Sequence, residues 1–342
     1  MERKVSHEEV PVDPHPCALP DPGCFPRPGG RPCSDLQYPQ DWVNWGAVLR
    51  EFTRVSGITA PNDNKNSGQS LTALIAEKNS PLCDLVYLGI SFGPTAVSED
   101  VLQSYKHPYF DAIDDTLKEA NGLYSTIHYG SIAILVNTDA LGDLPIPQSW
   151  EALLDPMYKG MIGMLDPTSA AIGYSAVVAV NQALGGSLDD FAPAIEYFKK
   201  LNENEVVYPM QTSTAKLLKG EIPILIDADF NGYGLKYNQF GPGEVVIPEE
   251  GSLKIPYVVG IIKDCPDLEN AQKLMDYLFS DEGQALFAKG FVRPIKPDAM
   301  DDETRAKVLP DEDYARSVDV DWQRMSEVQA DFNALWTAEI SK

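Results

Sequence analysis

Short apolar segments of the strand type alternate with amphipathic segments of the helix type along most of this chain. Residues Asp84–Gly89, Ser131–Asn137 and Ile222–Asp227 are apolar runs of the kind that forms buried strands. Between them, Asn44–Val55 and Thr168–Ala183 repeat apolar residues at helical spacing. This alternation predicts an α/β protein with mainly parallel sheets.

The rest of the chain carries further elements of both types. Strands are predicted at Gly160–Leu165, Glu244–Ile247 and Tyr257–Ile262, and helices at Leu188–Leu201, Thr212–Lys219, Asp229–Tyr237, Leu268–Phe279 and Asp281–Lys289. The tail from Val318 to Ile340 is predicted to be mostly helical. A chain of 342 residues is long enough for two lobes with a sizeable core.

Charge and motifs exclude several classes of function. The net charge of -24 argues against nucleic-acid binding, because that function needs basic patches. No apolar run approaches the roughly 20 residues that span a bilayer. No nucleophile elbow, His-Glu-x-x-His or Walker loop occurs, and there are only 4 histidines. We therefore expect no catalytic residues, no enzyme activity and no cofactor.

Residues 1–35 differ from the body, since they are rich in proline and glycine and almost free of aliphatic side chains. This composition predicts a disordered head without the apolar region of a signal peptide. Two explanations stay open: a natural extension, or a misassigned start that replaces an export signal. Cys17, Cys24 and Cys33 lack zinc-ligand spacing, so no metal site is expected.

The stretch from Ser149 to Ala170 indicates a place for an anion. Ser149 is positioned to cap a short helix over Trp150–Leu154, and a strand then leads to a helix opening on Thr168, Ser169 and Ala170. Backbone N–H groups and hydroxyls at such a helix start can hold phosphate, phosphonate or carboxylate oxygens. The alternative is an ordinary N-cap without a ligand.

Motifs spread over the body resemble one known family. They are Tyr38–Trp45, Phe52–Ile58, Ser67-Gly68, Asp84–Tyr87, Val136-Asn137, the block from Ser149 to Ala170, Lys219–Pro223 and the segment from Asn270 to Gln284. Together they make the chain similar to periplasmic solute-binding proteins of ABC importers with the type 2 fold. The similarity is to the branch for ferric iron, polyamines, thiamine, phosphonates and sugar phosphates.

The resemblance implies two α/β lobes joined by two crossover strands, with a ligand caught in the interlobe cleft by hinge closure. It places lobe 1 at 36–132 and 257–300, lobe 2 at 133–256, and C-terminal helices packed on the lobes at 301–342. The crossovers fall near His128–Asn137 and Gly251–Tyr257. The implied first strand, Cys33–Gln37, is poor strand material.

The candidate ligand-binding residues follow strands, open helices or stand at the crossovers. They are Asp41, Trp42, Ser67, Gly68, Ser91, Phe92, Tyr129, Thr168, Ser169, Ala170, Asp227, Asp229, Asn231 and Tyr257. Several have plain alternatives: Ser67-Gly68 and Asp229 as N-caps, and the two tyrosines as hinge packing. Ferric members place adjacent tyrosines where this chain has Asp229-Phe230-Asn231, which disfavours iron.

These observations favour a periplasmic receptor that binds a small organic anion or zwitterion, such as a phosphorylated sugar or vitamin or a phosphonate. Its partners would be that small-molecule ligand and an ABC permease in the inner membrane, and the protein itself would be a monomer. The alternative within the same fold is a polyamine- or ferric-iron-binding protein. An enzyme or a ligand-sensing regulator is less well supported.

Overall fold

A computed structural model describes residues 42–62, 65–209, 213–239 and 241–341. The predicted disordered head, Asp41 and the predicted first strand Cys33–Gln37 lie outside these residues, as does the side chain of Trp42.

The helices and strands alternate along the described chain. The α-helices are α1 Trp45–Ser56, α2 Ser67–Ala76, α3 Gly93–Ser98, α4 Thr138–Leu141, α5 Ala171–Ala183, α6 Ala192–Leu201, α7 Ser213–Leu218, α8 Asp229–Tyr233, α9 Leu268–Leu278, α10 Asp281–Ala288, α11 Asp302–Arg305, α12 Asp311–Tyr314, α13 Trp322–Glu327 and α14 Gln329–Glu339. The strands are β1 Leu85–Gly89, β2 Leu102–Gln103, β3 Ser125–Val136, β4 Ile162–Met164, β5 Ile224–Ala228, β6 Glu244–Val246, β7 Ser252–Ile262, β8 Arg293–Pro294 and β9 Ser317–Val318.

Local sequence accounts for most element bounds. In α1, the apolar stripe is buried except for Val55, and Gly57 ends the helix with φ 72, a backbone conformation that glycine adopts without strain. Ser149 does cap the next predicted helix, since its Oγ accepts the N–H of Ala152 at 3.0 Å. That segment is a 3₁₀ turn over Glu151–Leu154, and α8 continues into a π-helical turn at Gly234–Asn238.

Two long strands, β3 and β7, are shared by both halves of the molecule. The first part of β3 pairs with β7 and β8, and its last part, from Ile132 onward, pairs with β5 and β6. The later part of β7 pairs with β1 and β2, and the strand order is β1-β7-β3-β5-β4. We call the β1, β2 and β8 side lobe 1 and the β4, β5 and β6 side lobe 2. The residue bounds of the lobes given above stay predictions.

The prediction of mainly parallel sheets is wrong for the described strands. Only β4–β5 and β7–β9 are parallel pairs, whereas β3 runs antiparallel to β5, β6, β7 and β8. The reason is topological, because the chain passes from lobe 1 to lobe 2 along β3 and returns along β7. Two neighbouring strands that cross in opposite directions have to be antiparallel.

The C-terminal helix α13 contacts both lobes. The Tyr174 hydroxyl of α5 donates to the carbonyl oxygen of Met325 at 2.8 Å, and the hydroxyl oxygens of Thr95 and Ser326 lie 3.1 Å apart. In the following helix, Trp336 is buried. No helix among the described residues is long and apolar enough to cross a membrane.

Candidate functional site

The helix predicted to open on Thr168 begins three residues later, at Ala171, which corrects that prediction. Asp166 accounts for the difference. Its Oδ1 accepts the N–H and the hydroxyl of Thr168 at 2.8 and 2.5 Å, and its carbonyl oxygen accepts the N–H groups of Ser169 and Ala170. A turn therefore precedes the helix, and the backbone donors of Thr168, Ser169 and Ala170 are already used within the chain.

The donors available at this end of α5 are those of its first turn. Ala171, Ile172 and Gly173 have no acceptor for their N–H groups within the part of the chain that the structure describes. Since α5 has 13 residues, its dipole adds to the attraction of these groups for an anion. The Asp166-Pro167 pair was the available sequence signal, because Asp-Pro marks the start of a turn.

A second helix start, that of α2, faces the first across the two lobes. Asn66 caps α2 by accepting the N–H of Gln69 at 2.8 Å, and the Oγ of Ser67 accepts the N–H of Gly89 at 3.0 Å. A Cβ placed on Gly68 would lie 3.1 Å from the carbonyl oxygen of Ser169. The structure thus brings Gly68 and Ser169 together, although they are about a hundred residues apart in sequence.

The end of β1 completes this contact between lobes. Ser91 and Phe92 are buried there, and the Cε1 of Phe92 lies 3.8 Å from the Cβ position of Gly68. A void of about 10 Å³ remains between the lobes. Its lining includes Gly89, Ser91, Ala171, Ile172, Tyr257 and Trp322.

Aromatic residues line the crossover strands beside this contact. The Tyr257 ring stacks on Tyr87 with centroids 5.0 Å apart, and the Tyr87 hydroxyl lies 2.9 Å from Nε2 of His128. Burial lowers the pKa of His128 to about 3, so the ring is neutral at physiological pH. Tyr129 is half-buried and pairs in the sheet with Pro256 and Arg293. Tyr129 lies on β3 and Tyr257 on β7, and their contact with a ligand stays a prediction.

Asp227 is a fully buried carboxylate at the carboxyl end of β5. Its Oδ1 accepts the N–H of Ala228 at 2.6 Å and the side-chain amide of Asn231 at 2.8 Å. Its Oδ2 is buried and has no hydrogen-bond partner in the described structure. Burial raises the pKa of Asp227 to about 6, opposed by these two hydrogen bonds.

Asp229, by contrast, is bonded through both oxygens. Oδ1 accepts the N–H of Ser131 at 2.9 Å, and Oδ2 accepts the hydroxyl of Tyr314 at 2.8 Å. The Arg293 guanidinium stacks over the Tyr314 ring at 3.5 Å, and the Tyr233 hydroxyl lies 2.6 Å from that of Tyr314. Burial raises the pKa of Asp229, and the bond from Ser131 and the charge of Arg293 oppose that rise. Sequence reasoning missed Arg293 and Tyr314, and no local motif marks them.

A larger cavity of about 540 Å³ lies elsewhere on the surface. Asn44, Lys289 and Phe291 line one part of it, and Tyr237 and Lys307 line another. None of the candidate ligand-binding residues that the structure describes belongs to its lining. Among the described residues, no cluster of three or more histidine, cysteine, aspartate or glutamate side chains could hold a metal ion.

Comparison with known proteins agrees with this architecture. Residues 80–328 match the family model described as bacterial extracellular solute-binding protein. A protein of Haemophilus influenzae is 31% identical over 231 residues, which is 64% of this chain and 65% of that protein. A Salmonella typhimurium protein named as a putative 2-aminoethylphosphonate-binding periplasmic protein is 28% identical over 264 residues, 75% of each chain.

A solved structure shows the same fold over nearly the whole chain. The periplasmic binding protein AfuA from Actinobacillus pleuropneumoniae, with fructose-6-phosphate bound, superimposes with a TM-score of 0.77 at 26% identity. The match covers 91% of this chain and 99% of AfuA. The predicted two-lobed type 2 fold is confirmed, and AfuA and the Salmonella protein are both named as binding proteins. With more than half of its length matching the family model, the chain belongs to the bacterial extracellular solute-binding protein family.

Proposed function

We propose that this protein is the extracytoplasmic receptor of an ABC importer and that it binds a small organic anion or zwitterion between its lobes. The observation that carries the proposal is the meeting of two helix starts from different lobes, with the Gly68 Cβ position 3.1 Å from the Ser169 carbonyl oxygen. Helix starts supply backbone N–H donors without a nearby positive side chain. A ligand placed between two of them is held from both sides.

The anionic end of the ligand would bind at the first turn of α5. The N–H groups of Ala171, Ile172 and Gly173 supply the donors, and the N–H of Gly68 supplies one from the opposite lobe. Phosphate, phosphonate and carboxylate oxygens accept such bonds at about 2.7–3.2 Å. The phosphorylated sugar in the AfuA structure and the phosphonate in the name of the Salmonella relative support this class of ligand.

The other end of the ligand would carry an amine or hydroxyls that reach Asp227. A buried carboxylate oxygen without a hydrogen bond is unfavourable, and an ammonium or hydroxyl donor relieves it. Asn231, bonded to the same carboxylate, would orient it. The remaining candidates of the sequence prediction, including Asp41, Trp42 and Asp229, stay proposals as ligand contacts.

Capture and release would follow from motion about β3 and β7. Because the helix starts touch each other, the lobes have to part before a ligand can enter between them, and they close on it afterwards. The closed receptor would deliver its ligand to an ABC permease as a monomer, without chemical change. This mode of action agrees with a family that is extracellular or periplasmic.

The test is ligand binding by the purified full-length chain. We expect 2-aminoethylphosphonate or fructose 6-phosphate to raise the melting temperature, because a ligand at 100 times its Kd adds about 2.7 kcal/mol of stability. Isothermal titration then gives the affinity and stoichiometry. Stabilisation by spermidine or ferric citrate, with no response to phosphonates or phosphorylated compounds, would contradict the anion site and favour the alternative cargoes.

A further inference from the structure

Gly89 and Ala171 meet where the two lobes touch. Gly89 is the last residue of β1 in lobe 1, and Ala171 is the first residue of α5 in lobe 2. A Cβ built on Gly89 would lie 2.6 Å from the Cβ of Ala171. Two carbon atoms in van der Waals contact need about 3.5–4.0 Å, so a methyl group at Gly89 cannot fit in this arrangement.

The backbone at Gly89 does not itself require glycine. Its φ of −61° and ψ of 140° are ordinary extended values that alanine adopts without strain. The next atom near the added Cβ is the Oγ of Ser67 at 3.7 Å, which is an ordinary contact. Among the residues that the structure describes, Ala171 is thus the single close obstacle to a side chain at this position.

We propose that the Gly89–Ala171 contact sets how closely the lobes approach each other, and that Gly89 is thereby a determinant of ligand affinity. An alanine at this position would hold the two surfaces about 1 Å further apart. Hydrogen bonds weaken steeply over such a displacement, so a ligand could no longer engage donors of both lobes. This inference rests on the proposed capture of a ligand between the lobes.

Two other glycines near the Gly89–Ala171 contact allow alanine substitutions to be compared with Gly89→Ala. Gly68 faces the Ser169 carbonyl oxygen at 3.1 Å, a tight but smaller conflict. Gly173 lies within lobe 2, where an added Cβ would be 2.3 Å from the Leu165 carbonyl oxygen. Gly89→Ala therefore obstructs closure, Gly68→Ala obstructs it less, and Gly173→Ala disturbs the packing of α5 on its own lobe.

The experiment is a double-mutant cycle with Gly89→Ala, Ala171→Gly and the double variant, all in the full chain. The affinities for 2-aminoethylphosphonate and fructose 6-phosphate are measured by titration calorimetry, and thermal unfolding is measured without ligand. We expect Gly89→Ala to weaken binding at least about tenfold while unfolding without ligand stays close to that of the wild-type chain. In the Ala171→Gly background, Gly89→Ala should weaken ligand affinity less than about threefold, because the opposing methyl group is gone.

Two results would overturn the proposal: a Gly89→Ala variant that binds like the wild-type chain, or an equal loss in both backgrounds. A wild-type chain that binds none of the probes refutes the proposed ligand class instead. The contact is then judged by small-angle scattering of the ligand-free variants. A larger radius of gyration for Gly89→Ala, reversed by Ala171→Gly, supports it, and identical curves reject it.

Discussion

Asp227 and Asp229 are separated by one residue and are both fully buried, yet their surroundings give them opposite properties. Both oxygens of Asp229 accept hydrogen bonds from within the chain, and Arg293 provides a nearby positive charge. Asp227 has one oxygen bonded and one without a partner in the described structure. Burial alone therefore does not show whether a carboxylate belongs to the framework or is left for an outside partner.

The bonds around Asp229 form a continuous chain. The N–H of Leu309 donates to the Tyr233 hydroxyl at 3.0 Å, that hydroxyl lies 2.6 Å from the Tyr314 hydroxyl, and Tyr314 donates to Asp229. This row of hydrogen bonds connects the C-terminal segment to the crossover strand β3, because Asp229 also accepts the N–H of Ser131. Hydrogen bonds in a row polarise one another, so the assembly is worth more than its separate members.

The largest expected effect comes from Asp229→Ala. This change leaves the N–H of Ser131 and the Tyr314 hydroxyl without their acceptor and removes the negative charge beside Arg293. We expect a loss of about 3–5 kcal/mol in the free energy of unfolding, measured by urea denaturation. As a control, Asp319→Ala breaks an exposed ion pair with Lys254 and should cost less than about 1 kcal/mol. Equal losses in the two variants would contradict the framework role of Asp229.

Asp227→Asn should raise the free energy of unfolding at neutral pH, whereas Asp229→Ala lowers it. The folded chain binds a proton at Asp227 more tightly than the unfolded chain does, because burial raises the pKa from 3.8 to about 6. The wild-type chain therefore loses stability as the pH rises through this window and does not regain it above pH 6. We expect the variant to be more stable by about 2–3 kcal/mol at pH 8 and by almost nothing at pH 4. Urea denaturation of both proteins at pH 8 and pH 4 provides the measurement. A stability difference between variant and wild type that is the same at both pH values would contradict this prediction.

Tyr314→Phe tests the role of Asp229 by removing the hydroxyl that donates to its Oδ2. The ring and its stacking with Arg293 stay in place, while Asp229 Oδ2 loses its hydrogen bond and the Tyr233 hydroxyl loses a neighbour. The expected cost is about 1–2 kcal/mol of unfolding free energy. Tyr109→Phe is a suitable control, because this tyrosine is half-buried and its ring centroid lies 4.6 Å from Nζ of Lys296 rather than beside Asp229. A cost no larger than that of the control would show that the hydroxyl chain contributes little.

The smallest expected effect is on ligand selectivity. If Asp227 binds the ammonium group of a zwitterion, Asp227→Asn should weaken 2-aminoethylphosphonate binding about tenfold, which corresponds to about 1.4 kcal/mol. Ethylphosphonate lacks the amine, so its affinity should not change. Calorimetric titration of both ligands against both proteins provides the measurement, and parallel losses would place Asp227 outside the binding site.

Much of the fold could be predicted from the sequence, because its signals are local. The 3.6-residue periodicity located α1, apolar runs located β1 and β5, and Gly57 marked the end of the first helix. The direction of the strands could not be predicted in this way. A strand has the same apolar pattern whichever way it runs, so the antiparallel course of β3 and β7 depends on the path of the whole chain.

In the candidate site, too, some features could be predicted from local sequence and others depend on the folded chain. The sequence by itself determined that a helix follows β4 and that Asp227 and Asp229 lie at the carboxyl end of β5. Only the tertiary structure decided that Gly89 touches Ala171. It also separated Asp229 from Asp227, since the partners of Asp229 lie 98 and 85 residues away. Hydrogen bonds and close contacts between such distant residues exist only once the chain has folded, so no local pattern could encode them.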